Sequence, residues 1–152
     1  MTAGQSRALR AAGIYLSSAA FSFARLREQL IFDGFSADDA EYALSLCGAD
    51  WRAQALRCAD SYLSLTPFSL SGLRAQLLFE RFTEEECAYA LETCQADWNA
   101  QALRAAKQYL SSPEAAFTQE SLCLRLLSDG FTDSQSRYGA GAAFCPDAPT
   151  GR

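Results

Sequence analysis

The chain has 152 residues, about one average domain, and is 49% apolar and 20% charged, which excludes a mainly disordered or fibrous protein. Thirteen Lys and Arg against eighteen Asp and Glu give a formal charge of −5, which repels phosphate backbones and argues against general nucleic-acid binding. With no histidine at all, the commonest general base, the commonest metal ligand and the Ser-His and Cys-His nucleophile pairs are missing.

At the start, Arg7 and Arg10 precede only the short apolar run Ile14-Tyr15-Leu16, too little for a signal-peptide core, and nothing approaches the roughly 20 apolar residues of a membrane span. Ala8-Leu9-Arg10-Ala11-Ala12 matches Ala102-Leu103-Arg104-Ala105-Ala106, so residues 1–16 read as the third helix of a preceding repeat. The repeat shows on sliding the chain along itself. Tyr15-Leu16-Ser17 returns at Tyr62 and at Tyr109, and Phe21-Ser22 returns as Phe68-Ser69 and Phe117-Thr118. Ala49-Asp50-Trp51 returns as Ala96-Asp97-Trp98, and both are followed by Ala-Gln-Ala-Leu-Arg, at 53–57 and 100–104. A fixed period of this size marks a supersecondary unit used in tandem. The expected division is repeat 1 at 17–63, repeat 2 at 64–110, a truncated repeat 3 at 111–138 and an irregular tail at 139–152.

Each unit is expected to hold three short helices, giving an all-α fold of helix-turn-helix-like repeats. The first helix starts at the N-caps Ser22, Ser69 or Thr118, with Phe21, Phe68 or Phe117 and Leu26, Leu73 or Leu122 at the spacing of a hydrophobic staple. Leu26, Leu30 and Ile31 are expected to face inward. Gly34 and Gly130 stop this helix in the left-handed conformation, whereas Arg81 in the second copy must stop it at a cost or by another geometry. The second helix starts at Ser36, Thr83 or Thr132. Thr83 with Glu86 and Thr132 with Gln135 fit a capping box, and Ser36 with Asp39 is a shorter version. Its buried face is expected to use Tyr42, Ala43 and Leu46, or Tyr89, Ala90 and Cys94. The third helix, capped by Asp50 or Asp97, buries Trp51, Ala55, Cys58, Ala59 and Tyr62 at helical spacing.

The six cysteines include no C-x-x-C pair, so no metal site is expected. Ala and Cys exchange at equivalent positions, Cys58 for Ala105 and Cys87 for Ala40, which reads as a small core residue; disulfides in an oxidising compartment are the alternative. No cofactor is called for.

The run Tyr62-Leu63, Phe68-Ser69, Leu73, Gln76-Leu77, Phe82-Thr83, Tyr89-Ala90-Leu91, Cys94, Ala96-Asp97-Trp98-Asn99, Gln101-Ala102 and Ala106 resembles the repeat of the Ltp family, the host cell surface-exposed lipoproteins of Gram-positive bacteria and their phages. The resemblance covers roughly residues 8–138. It implies helical repeats held outside the cell on a lipid anchor. It also implies a role in superinfection exclusion, in which delivery of another phage's DNA is blocked by binding the machinery that carries it. This stretch shows neither a leader nor a lipid-attachment cysteine, since Leu44-Ser45-Leu46-Cys47 has no hydrophobic run before it. A chain complete as written is therefore expected in the cytoplasm, and membrane contact is expected only through an anchor supplied from outside it.

Acidic residues gather near the second helices: Asp38, Asp39 and Glu41, then Glu84, Glu85, Glu86 and Glu92. They complement the helix dipole, and they also form a repeat-spaced negative stripe able to steer a basic protein segment, such as part of a phage DNA-delivery protein, into place. The expected role is non-catalytic protein binding, with these seven residues as the candidate surface. The alternatives are a DNA-binding helix-turn-helix protein reading through Arg52, Arg57, Arg104 and Lys107, and a structural spacer at the cell surface.

Overall fold

The protein is described here by a computed structural model covering residues 1–145. Among these residues there are nine helices and no strand: α1 (Ala3–Ser18), α2 (Phe23–Phe32), α3 (Ala37–Leu46), α4 (Trp51–Leu65), α5 (Leu70–Phe79), α6 (Glu84–Thr93), α7 (Trp98–Leu110), α8 (Gln119–Ser128) and α9 (Asp133–Phe144). The all-α repeat read from the sequence is therefore the fold observed. Contacts divide the chain into two compact units, one of residues 1–60 and 76–94 and the other of 61–75 and 95 onward, with the division falling inside α4 and α5.

In the first unit α1, α2 and α3 close around Ala8, Ala12, Leu26, Leu30, Ala40, Ala43 and Leu44, with Tyr15, Phe21, Phe35 and Trp51 packed against them. In the second unit α7, α8 and α9 close in the same way around Ala102, Ala105, Ala106, Leu122, Leu126, Phe131 and Ala140. Packing thus phases the repeat differently from the expected division. The long helix leads each triplet, so α1 belongs with the two helices after it and residues 111–138 complete a core begun by α7. Residues 139–144, expected to be irregular, extend α9, because its Thr132–Gln135 capping box starts a helix whose small residues can lie flat on α7. The rest of the expected tail, 146–152, lies outside the described residues.

The caps form as the residues dictate. Ser22 and Ser69 accept from the amides of Arg25 and Gly72, and Thr118, Thr83 and Thr132 form reciprocal capping boxes with Ser121, Glu86 and Gln135. Ser36 makes only the forward half, accepting from Asp39 N–H at 3.1 Å. Gly34 and Gly130 hold φ +101° and +100°. Arg81 adopts the same left-handed turn at φ 69°, and the same closing bond forms from Phe82 N–H to Leu77 O as from Phe35 to Leu30 and Phe131 to Leu126. The second copy keeps the geometry and carries the Cβ strain, about 1–2 kcal/mol.

Two inward faces differ from expectation. Ile31 is 38% exposed, and on α3 the buried set is Ala40, Ala43 and Leu44, leaving Leu46 at the surface. Likewise Tyr89 is exposed and Cys94 is half-buried. The cause is the alanine stripe. α1 presents Ala8 and Ala12, and Ala40 and Ala43, at i and i+3 on α3, are small enough to let the two helices pack closely. All six cysteines are free thiols, with Cys58 and Cys87 buried as small core residues. Burial first, then the charges of Glu80 and Cys87, pushes the Cys58 thiol up to about 12.

Candidate functional site

The seven acidic residues near the second helices divide by their partners. Glu86 closes the Thr83 capping box, its carboxylate accepting from Thr83 N–H at 2.9 Å. Asp39 does not close its own box; its carboxylate lies over Gly4, where a Cβ would collide with it. That places negative charge against the first turn of α1, the positive end of its dipole. Glu41 pairs with Arg27 at 3.2 Å and Glu85 pairs with Arg52, whose guanidinium also stacks on Tyr89. Both pairs are exposed and contribute about 0–1 kcal/mol each, so an incoming cation can displace them at little cost. Asp38, Glu84 and Glu92 project from the surface. At least four of the seven acids therefore have local structural work, while Asp38 and Glu92 are exposed. Sequence reasoning grouped all seven because capping and steering use the same residue type, although Glu41 and Glu92 lie beyond the first turns of α3 and α6.

The Asp-Trp motifs prove to be structural. Asp50 accepts from Arg52 and Ala53 N–H, and Asp97 caps α7 through Ala100 N–H at 3.1 Å. Trp51 packs on the α1–α3 core and meets Phe23 edge-on, with ring centroids 5.5 Å apart.

What the sequence did not disclose is the use of the Ala-Gln-Ala-Leu-Arg runs. Gln54 Oε1 accepts from Phe21 N–H at 3.1 Å, and Arg57 donates to the carbonyls of Leu16 and Ala19 at 2.6 and 3.1 Å. One repeat later Gln101 accepts from Phe68 N–H at 3.2 Å and Arg104 donates to Leu63 O at 2.6 Å. Each long helix thus grips the end of the long helix before it. A second bond accompanies each grip: Ser22 Oγ donates to Glu80 O at 2.6 Å, and Ser69 Oγ to Asp129 O at 2.8 Å. Of the residues considered as base readers, Arg57 and Arg104 are committed to backbone carbonyls here and Arg52 to Glu85. The only signal in the sequence was that Gln and Arg recur with the motif.

Two tyrosines form a matched pair of latches. Tyr15 donates to Asp33 and Tyr109 to Asp129, each at 2.5 Å, and Arg125 donates to the Tyr109 oxygen at 3.1 Å. The hydrogen bond to Asp33 is the main cause raising the Tyr15 pKa, and burial is the main cause for Tyr109. Among the described residues no group of His, Cys, Asp or Glu is arranged to hold a metal ion, and no helix is long and apolar enough to cross a membrane.

These features define an all-helical tandem-repeat protein with a grip joint between successive long helices and acidic helix starts facing outward. The chain belongs to the host cell surface-exposed lipoprotein (Ltp) family, whose model matches it three times, at residues 4–45, 50–93 and 97–140. Each match begins at the start of a long helix or on the residue before it, the phase that packing also selects. No curated protein and no solved structure matches the chain.

Proposed function

We propose that the protein is a non-catalytic binding module of the cell surface that captures a basic segment of another protein through carboxylates at the second helices of its repeats. Its role is superinfection exclusion, the captured segment belonging to the machinery that carries phage DNA into the cell. The observation supporting this reading is the exposure of Asp38 and Glu92 beside the displaceable pairs of Glu41 and Glu85, which leaves negative charge for a lysine- or arginine-rich strand. Family membership supports the surface location.

The test is a titration with a lysine-rich peptide and, separately, with duplex DNA, at low and at physiological salt. The peptide is expected to bind with an affinity that falls as salt rises, and the DNA not to be retained. Charge reversal of Asp38, Glu84 and Glu85 to Lys spares every cap and is expected to abolish peptide capture. Equal affinity in that variant would reduce the stripe to helix capping, and DNA retention would favour nucleic-acid binding. In cells displaying the protein at their surface, loss of the repeats with no change in phage resistance would overturn the exclusion role.

A further inference from the structure

The dipeptide Asp-Gly occurs at Asp33-Gly34 and at Asp129-Gly130. This pair rearranges on its own more readily than other aspartyl dipeptides, because glycine has no side chain to shield its amide nitrogen from the neighbouring carboxyl. In the reaction the glycine nitrogen attacks the aspartate Cγ. The N–Cγ bond forms, the C–OH bond of the neutral acid breaks, and the hydroxyl leaves as water with the amide hydrogen. Water then opens the cyclic succinimide. Addition at Cγ restores aspartate, whereas addition at the former main-chain carbonyl gives isoaspartate, whose backbone runs through the side chain.

Both pairs stand at the end of a middle helix, α2 or α8, with the aspartate as its last cap. Three features hold each of them unreactive. Ring closure needs the glycine nitrogen and the aspartate Cβ on the same side of the Cα–C bond, and ψ of −2° at Asp33 and −5° at Asp129 keeps them apart. The attacking nitrogen is engaged, since Gly34 N–H donates to Ile31 O and Gly130 N–H to Leu127 O, both at 3.0 Å. The carboxylate is engaged as well. Asp33 accepts from Tyr15 at 2.5 Å on one oxygen and from Gln29 Nε2 at 3.1 Å on the other. Asp129 accepts from Tyr109 at 2.5 Å, and Arg125 Nε stands 3.7 Å from its second oxygen.

The copy between them carries Glu80-Arg81 at these positions. A glutamate must close a larger ring, and Arg81 sets a Cβ beside the nitrogen. That copy makes the same turn, at φ 69°, without the reactive pair. The glycine that relieves the turn of strain at 34 and 130 is therefore also what opens a route to rearrangement.

We propose that Asp33 and Asp129 are the preferred sites of isoaspartate formation in this chain, and that Tyr15 and Tyr109 are positioning residues that guard them by holding each carboxylate away from the glycine nitrogen. The tyrosines take no part in the bond changes. They lower the population of the opened turn in which the carboxyl can swing back, a local opening far smaller than unfolding of the triplet. Isoaspartate adds a methylene to the main chain at the turn, so Phe35 N–H or Phe131 N–H can no longer close on Leu30 O or Leu126 O, and the helix end is loosened for good.

The test is incubation of the 152-residue chain at neutral pH, in buffer and in urea, followed by isoaspartyl methyltransferase labelling and peptide mapping, since the product has the mass of its parent. In urea both Asp-Gly pairs are expected to convert and Glu80-Arg81 not to. In buffer conversion is expected to be slower by about tenfold or more. Tyr15→Phe is expected to speed conversion at Asp33 by about twofold to tenfold, the population held by one hydrogen bond, and to leave Asp129 unchanged. Tyr109→Phe is expected to do the reverse. Ala43→Gly, which loosens the α1–α3 triplet by a similar amount without touching the latch, is expected to leave the Asp33 rate near that of wild type.

Equal rates in buffer and in urea overturn the proposal. So does a Tyr15→Phe chain that converts no faster at Asp33 than wild type. An Ala43→Gly chain converting as fast as Tyr15→Phe overturns it too, because rearrangement would then follow unfolding of the triplet and not release of the latch. Tyr109→Phe, read at Asp129, repeats the test in the other unit should either α1–α3 variant fail to fold.

Discussion

The α1–α3 and α7–α9 triplets solve one packing problem with different volumes. Both set two leucines of the middle helix in the core, Leu26 and Leu30 or Leu122 and Leu126, and both latch a tyrosine to the aspartate ending that helix. They differ where the long helix meets the last. α3 offers Ala40, Ala43 and Leu44, whereas α9 offers Ser136, Gly139 and Ala140. With no side chain at 139 the two backbones come so close that a Cβ there would stand 2.7 Å from the carbonyl carbon of Ala102. The lesson is that side-chain bulk and backbone approach are exchangeable in this repeat: lost apolar area is replaced by closer contact.

The largest way to break the comparison is to remove the part both triplets share. Leu30→Ala and Leu126→Ala are each expected to cost about 2–5 kcal/mol in urea unfolding, through lost burial and a cavity. If Leu126→Ala proves far cheaper, the α9 triplet collapses around the void and the two cores are not equivalent. Next, Gly139→Ala is expected to cost about 1–3 kcal/mol by pushing α9 off α7. The mirror change Ala43→Gly costs about 1 kcal/mol, through helix propensity. Comparable losses at the two sites would mean that close approach is not what holds α9.

A smaller effect sharpens the comparison with the copy between them. Replacing Arg81 by Gly supplies the residue found at 34 and 130 and relieves the left-handed strain, for an expected gain of about 1 kcal/mol in unfolding free energy, less whatever the exposed pair to Glu28 contributes. A loss on that substitution would show the ion pair to outweigh the strain.

Smallest is the latch. Tyr109→Phe is expected to cost about 0.5–1.5 kcal/mol. Because the folded-state pKa of Tyr109 is raised, its contribution is complete below the ordinary tyrosine value of 10.0 and is lost as pH rises through the higher folded value. The stability difference between wild type and Tyr109→Phe, followed by thermal melts from neutral to strongly alkaline pH, should shrink only above about 10. A difference that shrinks already at neutral pH would assign the effect to another group.

Much of the fold was legible because its signals are local. Ser22, Thr83 and Thr132 cap whatever helix follows them, and Gly34 and Gly130 end one by their own freedom to take positive φ. The phase of the repeat was not legible. A period fixes how often a helix recurs but not whether the Asp-Trp helix packs with the pair before it or the pair after it. The candidate site was half legible for a similar reason. An acid near a helix start is visible in sequence, but whether it meets Arg27, Arg52, the end of α1 or solvent depends on helices brought alongside it.

By itself, then, the sequence determined the helices, their caps and their tandem recurrence, since each follows from contacts within a few residues along the chain. Only the tertiary structure decided which helices share a core, why Ile31 and Leu46 stay outside it, and that Arg57 and Arg104 spend their charge on the ends of preceding helices. Those outcomes turn on how closely alanine- and glycine-faced helices approach, a distance that no short stretch of residues encodes.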